Sequence, residues 1–340
     1  MRKPTQMEVF DALYTLAAGG GRKEALFGNS YELARPAFER TLIGKQYPVV
    51  HIEFPLLGEP CFDLLTSPGM VEAGDRFAPG AGFGHQATFD WYASVCEQYG
   101  ALGCGFELDL SAGETERAAV YFQQFEHYEL VEPFLATVGE AERARDYHNI
   151  LNRMPKGWPP AYVGLFPGRP GTPMRMGGYL DLNELTRCGE DPSHLGECFR
   201  QIGFSAFDDT MLVRCTELIR LAPLVDFQFD ITTEGRLGNT FGLSLGFSTV
   251  APREAKECME SGYGTQIMQM LQGWGLADDR WKLVADAAFA RHVGYTRDDG
   301  SEGRFALCTR FNFAKVKFKA CEAQPAKFYL TCDAGDMERA

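Results

Sequence analysis

Five times along the chain, a short run of alternating apolar and polar residues breaks at a cluster of turn-forming residues and then resumes. VVHIEFPLL (49–57) turns at Gly58-Glu59-Pro60 and resumes as CFDLLTS. GFELDLS (105–111) turns at Ala112-Gly113-Glu114 and is followed by AAVYFQQF. AYVGLF (161–166) passes through PGRPGTP into MRMGGYLDL, and LVDFQFDI (224–231) through TTEGRLGN into TFGLSLGFS. The last, NFAKVKFKA, passes through CEAQP into AKFYLTC. Alternation bracketed by Gly, Pro, Asn and Asp is the signature of a β-hairpin. The chain therefore predicts hairpins near 48–68, 104–125, 160–182, 224–249 and 311–333, about ten strands in all.

The segments between them carry the 3.6-residue period of helices. They are 88–100, two pieces of 128–154, 195–203, 207–222, 252–275 and 278–293. Within the N-terminal 1–45, residues 6–18 and 30–41 read the same way. Asp208 and Asp278 stand where N-caps belong, and Gly203 and Gly275 where helices stop. Hairpins joined by helices do not build parallel βαβ units, so doubly wound and TIM-barrel folds fit poorly. The expected class is α+β: one domain over 1–340, built from five repeats of hairpin plus helices. An antiparallel sheet of ten strands tends to curl, and closure removes its edges.

Alternation also sorts the strand residues into two faces. One is apolar: Ile52 and Phe54, Phe106 and Leu108, Val120 and Phe122, Phe227 and Phe229, Leu243 and Leu245, Val316 and Phe318, Phe328 and Leu330. The other carries His51, Glu53, Asp63, Glu107, Asp109, Tyr121, Arg175, Tyr179, Asp226, Gln228, Asp230, Lys315, Lys317, Lys327 and Tyr329. If helices cover the apolar face of a closed sheet, the polar face becomes a lumen of mixed charge. If the sheet stays open, that face is merely solvated. Phe311 and Phe313 share phase with the lysines, which calls for a bulge near Ala314 or an aromatic patch in the lumen.

A net charge of −13 argues against nucleic acid, which needs a basic face, and against anionic membrane surfaces. No apolar run reaches the roughly 18 residues of a membrane-spanning helix. The ten cysteines form no CxxC, and Glu8 and Asp11 interrupt the only signal-like stretch, which together suit a reducing cytoplasm. The six histidines show no HxH or HExxH spacing, so no zinc site is expected. FDDT (207–210), ADDR (277–280) and RDDG (297–300) lack the third aspartate of DDxxD and read as helix starts or turns. GGGR (19–22) lacks the GK[ST] of a phosphate loop, and no GxSxG is present.

Five hairpins with helices between them, together with KVK (315–317), KFY (327–329) and RMGGY (175–179), resemble the ABBA or PT-barrel prenyltransferases. The resemblance implies a closed ten-stranded antiparallel barrel with helices outside and a lumen that holds an allylic diphosphate. It implies that Arg175, Lys315, Lys317 and Lys327 bind the diphosphate and that Tyr121, Tyr179 and Tyr329 shield the allyl cation. Glu53, with Asp63 second, corresponds to the acid on the first hairpin that serves the acceptor as base. Glu107, Asp109, Asp226, Gln228 and Asp230 would face an aromatic acceptor or a nucleophilic peptide side chain. These carboxylates outnumber what many members carry, which would also suit a cationic acceptor or a metal. No cofactor is required by the resemblance and no residue is assigned to a metal, magnesium being the one optional ion. A barrel that only binds a peptide or small ligand, or that modifies peptides by other chemistry, is the alternative.

Overall fold

The structure is a computed structural model that describes residues 2–100, 102–247, 251–297 and 299–337. Residues 248 and 249 of the fourth hairpin and Asp298 of RDDG lie outside the described residues.

The five hairpins form β1 (Val49–Pro55) with β2 (Asp63–Ser67), β3 (Gly103–Leu108) with β4 (Ala119–Gln123), and β5 (Pro160–Leu165) with β6 (Met174–Tyr179). They continue with β7 (Leu224–Ile231) and β8 (Leu237–Gly246), then β9 (Phe289–Thr296), β10 (Glu302–Lys319), the short β11 (Glu322–Ala323) and β12 (Lys327–Met337). Every neighbouring pair is antiparallel, in the order β10-β12-β1-β2-β3-β4-β5-β6-β7-β8. The last half of β10 then pairs with β8, matching Lys315 to Ser244 and Lys317 to Gly242, and closes a ten-stranded barrel.

Closure turns the two faces into inside and outside. The apolar residues named above are all buried on the outer face. Each leucine or phenylalanine taken out of water there contributes about 1.5–3 kcal/mol. They pack against helices α1 (Gln6–Ala17), α2 (Tyr31–Glu39), α3 (Gln86–Tyr99), α4 (Val131–Thr137), α5 (Ala144–Leu151), α6 (Leu182–Glu190), α7 (Pro192–Ile202), α8 (Asp209–Leu221), α9 (Pro252–Glu260) and α10 (Tyr263–Gly273). Phe199 of α7, for example, meets Phe241 edge-on at 4.8 Å between ring centres. Asp208 caps α8 by accepting from the Met211 amide at 2.7 Å, and Gly203 ends α7 in the left-handed conformation at φ 85°.

The bulge near Ala314 is present: the register of β10 against β12 shifts between Phe311 and Ala314. It sends Phe311 outward, edge-on to Phe328 at 5.2 Å, and leaves Phe313 facing the lumen beside Tyr329. Both residues share phase in the sequence, so only the extra residue lets one leave the lumen.

Two helix readings differ from the structure, and one helix is additional. The 278–293 segment is not one helix: turns of 3-10 helix over Asp279–Ala287 give way to β9, an exposed strand along the N-terminal half of β10. The alternation Phe289, Arg291, Val293, Tyr295 follows that partner, which itself begins at Glu302, well before the predicted hairpin. The 252–275 segment breaks at Ser261 and Gly262 into α9 and α10. LNELTRCGE, which follows the third hairpin, is a further helix, α6, capped by Asp181 on the Glu184 amide at 2.8 Å.

Candidate active site

The strand registers stack the lumen in two zones. At the end reached by Lys317, Lys327 and the tip of the β5–β6 hairpin, charges pair with one another. Lys327 lies 3.0 Å from Glu53 and 2.8 Å from Asp63, which face each other across β1 and β2. Arg175 holds Asp230 at 2.9 Å. Arg169 binds Asp109 through two nitrogens at 2.7 and 2.6 Å and Glu107 at 2.6 Å. Both guanidinium groups stack on Phe166, 4.0 and 4.2 Å from its centre. Such bidentate, charge-assisted contacts fix geometry as well as charge.

Deeper in the lumen is a cavity of about 290 Å³ walled by Tyr121, Tyr162, Tyr179, Tyr329, Phe166 and Phe313. Glycines on the adjoining strands make room for these rings. A Cβ at Gly177 would stand 2.1 Å from the Tyr162 ring, and one at Gly105 would stand 2.7 Å from the Tyr121 hydroxyl. Asp226 sits in this wall, accepting from the Tyr162 hydroxyl at 3.2 Å and the Gln228 amide at 3.1 Å. His51 marks the far end, where its Nδ1 accepts from Asn312 at 3.1 Å.

Lys315 joins the zones. Its ammonium donates to the Tyr329 hydroxyl at 3.2 Å. Among the described residues, no carboxylate comes within 4.0 Å of Lys315 or Lys317, whereas Lys327, Arg169 and Arg175 each hold at least one. Electrostatics agree with that division. Burial lowers the Lys317 ammonium, and the neighbouring Lys315 and Arg175 lower it further, to about 7. Lys315 is lowered too, chiefly by burial, against the pull of Glu53. Lys327 is raised, because Glu53 and Asp63 outweigh its burial. Glu53 is held well below the ordinary carboxylate range, since Lys327, Lys315 and Lys317 together outweigh its burial. Asp63 and Asp226 are raised by burial, Asp226 to about 6.

No family model matches the chain, and no curated protein matches it. Its structure superposes on 5-dimethylallyltryptophan synthase from Streptomyces coelicolor with a TM-score of 0.54 at 13% identity, covering 97% of each chain. The same synthase in complex with DMASPP and Trp gives 0.52 at 14% identity, over 97% of this chain and 95% of that one. Prenyltransferase PriB, in a ternary complex with L-tryptophan and dimethylallyl thiolodiphosphate, gives 0.51 at 11% identity over 96% of each. The fold is the PT barrel.

Within this PT barrel the predicted site residues divide between the zones. Glu107, Tyr121, Arg175, Tyr179, Asp226, Gln228, Lys315 and Tyr329 line the cavity. Glu53, Asp63, Asp109, Asp230, Lys317 and Lys327 belong to the charged end. Arg169, Phe166 and Tyr162 were not singled out. Tyr162 stands in phase with Gly164 in AYVGLF, so alternation carried the signal. Arg169 lies in the turn PGRPGTP, where periodicity says nothing of direction. Its loop is fixed from outside, because Arg143 donates to the Thr172 carbonyl at 2.9 Å.

Proposed function

We propose that the protein transfers an allylic group from an isoprenyl diphosphate to an aromatic acceptor in the barrel lumen. The observation that carries this reading is the pair Lys315 and Lys317: two lumen ammonium groups with no carboxylate partner among the described residues, at a tyrosine-walled cavity. Buried cations without counter-ions are costly unless a ligand supplies the charge. In this reading Lys315, Lys317 and Arg175 hold the diphosphate, with Lys327 behind them. The donor C–O bond breaks, the diphosphate leaves with the electron pair, and the allyl cation lies among Tyr121, Tyr162, Tyr179 and Tyr329, whose π faces attract it. An aromatic carbon of the acceptor attacks and the ring then loses a proton.

For that proton we favour Asp226 over Glu53 and Asp63. Asp226 faces the cavity, whereas both first-hairpin acids are engaged by Lys327. A neutral aromatic acceptor is favoured over a cationic peptide side chain, because Arg169, Arg175 and Lys327 already occupy most of the surplus carboxylates. The positioned cations leave no need for magnesium. All ten cysteines are free thiols, which suits a reducing compartment such as the cytoplasm. Among the described residues, no helix is long and apolar enough to cross a membrane.

Incubation with dimethylallyl diphosphate and tryptophan or simpler indoles and phenols, followed by mass spectrometry, tests the reading. Expected are diphosphate release and an acceptor in which one dimethylallyl group replaces a ring hydrogen. Asp226→Asn should bind dimethylallyl thiolodiphosphate as tightly as the parent and turn over about 10²–10⁴-fold more slowly, the usual range for a positioned proton acceptor. No analogue binding and no transfer to any acceptor would sink the proposal. Binding without transfer would favour a barrel that only recognises its ligand.

A further inference from the structure

Outside the barrel, α6 and α7 meet at a one-residue corner. Asp191 ends α6 and also caps α7, accepting from the Ser193 amide at 2.8 Å. Glu184 and Cys188 stand four residues apart on α6, and His194 and Cys198 four apart on α7, so each pair shares a helix face. The corner turns the two faces together. One ligand atom from each of the four residues lies within 4.8 Å of all the others.

The separations resemble the edges of a tetrahedron. Cys198 Sγ is 3.6 Å from His194 Nε2 and 3.8 Å from Glu184 Oε2, and Cys188 Sγ is 3.9 Å from that oxygen. Around a tetrahedral zinc ion, with Zn–S about 2.3 Å and Zn–N or Zn–O about 2.0–2.1 Å, such edges are about 3.5–3.8 Å. The His194–Glu184 edge, 2.8 Å, is shorter, as expected where a hydrogen bond closes it. We propose that Glu184, Cys188, His194 and Cys198 bind one zinc ion that locks α6 to α7.

Charge and surroundings fit that ion. Two thiolates, one carboxylate and a neutral imidazole leave zinc with one excess negative charge. Arg187 answers it, donating to Glu184 Oε1 at 2.8 Å, and the Trp158 indole N–H points at Oε2 at 3.3 Å. Partners of this kind orient metal ligands. Arg187 also donates to His194 Nδ1 at 3.2 Å. Metal on Nε2 puts a hydrogen on Nδ1, so that contact opens. The Arg187 side chain, 61% exposed, has room to move. Four protein ligands complete the tetrahedron, which makes the site structural rather than catalytic. It would brace the corner that follows β6, the strand of Arg175 and Tyr179. The site stands apart from the lumen residues proposed to hold donor and acceptor.

The test is the metal content of untagged full-length protein, grown with zinc and purified without chelator. One zinc per chain is expected, released by a mercurial that titrates thiols. Replacing zinc with Co²⁺ should give the visible bands of a tetrahedral ion and a thiolate charge-transfer band in the near ultraviolet. Cys198→Ala and His194→Ala should lose at least nine-tenths of the zinc, while Cys308→Ala, outside the cluster, keeps it. Circular dichroism of the variants separates metal loss from misfolding, and the cobalt spectrum of the parent protein needs no variant. Parent protein that is folded yet holds no stoichiometric metal and gives no cobalt thiolate band overturns the proposal. So does zinc retained by the Cys188→Ala/Cys198→Ala double variant, or a Cys188–Cys198 disulfide in protein kept reduced during purification.

Discussion

The Lys315 ammonium stands 3.2 Å from the Tyr329 hydroxyl and 5.6 Å from the centre of its ring. Tyr329 in turn pairs across β1 with Glu53, and Lys315 pairs across β12 with Lys327. Two like charges directly opposite each other on a sheet repel. Lys327 is relieved by Glu53 and Asp63, whereas Lys315 is left to its tyrosine and to whatever enters the lumen.

That asymmetry predicts opposite effects of Lys315→Met on stability and binding. Methionine keeps most of the length of the side chain and removes a buried charge that has no ion-pair partner among the described residues, so the melting temperature should rise. Affinity for dimethylallyl thiolodiphosphate should fall about 10–100-fold, the equivalent of a charged hydrogen bond worth about 1.5–3 kcal/mol. Scanning calorimetry and titration calorimetry on the same preparation read both. Unchanged affinity in a stabilised variant would remove Lys315 from the diphosphate site.

Lys327→Met should behave in the reverse way. It strips the shared cation from two buried carboxylates that face each other. Breaking a buried pair in this manner costs about 3–5 kcal/mol. In the parent protein Glu53, held low, contributes stability above its unfolded value of 4.5, and that contribution is lost as pH falls through its lower folded value. In the variant neither acid has its cation, so protonating one relieves the repulsion. Urea unfolding at neutral and mildly acidic pH should show the deficit shrinking as the pH drops. A deficit that does not change with pH contradicts the pairing.

These ion pairs show how far the sequence could be read. Alternation placed Glu53, Asp63, Lys315, Lys317 and Lys327 on one face, because a strand's period of two survives any tertiary context. It also separated Val316 and Phe318, which seat the helices. Alternation cannot report pairing between strands distant in sequence, so closure through β8 and β10 was open until the register appeared. Nor could it tell which acids meet which cations. Arg169 escaped because a turn has no period. β9 was read as helix because its strand character depends on its partner β10. The four side chains between α6 and α7 escaped for another reason: each helix offers only one pair at i, i+4, and the corner at Asp191 is what joins them.

Lys317 should give ligand binding its pH dependence. Its value is lowered to about 7 by burial and by Lys315 and Arg175. The folded chain then binds fewer protons than the unfolded one between about 7 and the ordinary lysine value of 10.5, so unliganded stability gains from this group as pH rises through that window. Diphosphate binding works against this trend, because it favours the ammonium and takes up a proton. Affinity for the thiolodiphosphate should be flat below about pH 7 and fall by up to about tenfold per pH unit above it. Lys317→Gln should bind more weakly and lose that slope. Titrations in buffers of different ionisation enthalpy would detect the proton directly, and a slope retained in the variant would assign it to another group.

The cavity wall depends on glycine opposite tyrosine. Tyr162 pairs across the hairpin with Gly177, and its ring fills the space where a Cβ would stand 2.1 Å away. The ring is also tethered, since its hydroxyl donates to Asp226 at 3.2 Å. Gly177→Ala must therefore push a half-buried aromatic ring off its hydrogen bond. Overpacking of this kind costs about 1–3 kcal/mol. The donor site, made from Lys315, Lys317 and Arg175, should keep its affinity, because none of these side chains relies on the Tyr162 ring. The acceptor space should change shape, so KM for the acceptor rises and kcat falls as Asp226 loses its partner. Truncating the ring in Tyr162→Ala/Gly177→Ala removes the clash, so the double variant should lose less stability than the two single losses added together, without recovering kcat. A single variant as stable and active as the parent would mean that the ring at 162 is free to move and does not shape the site.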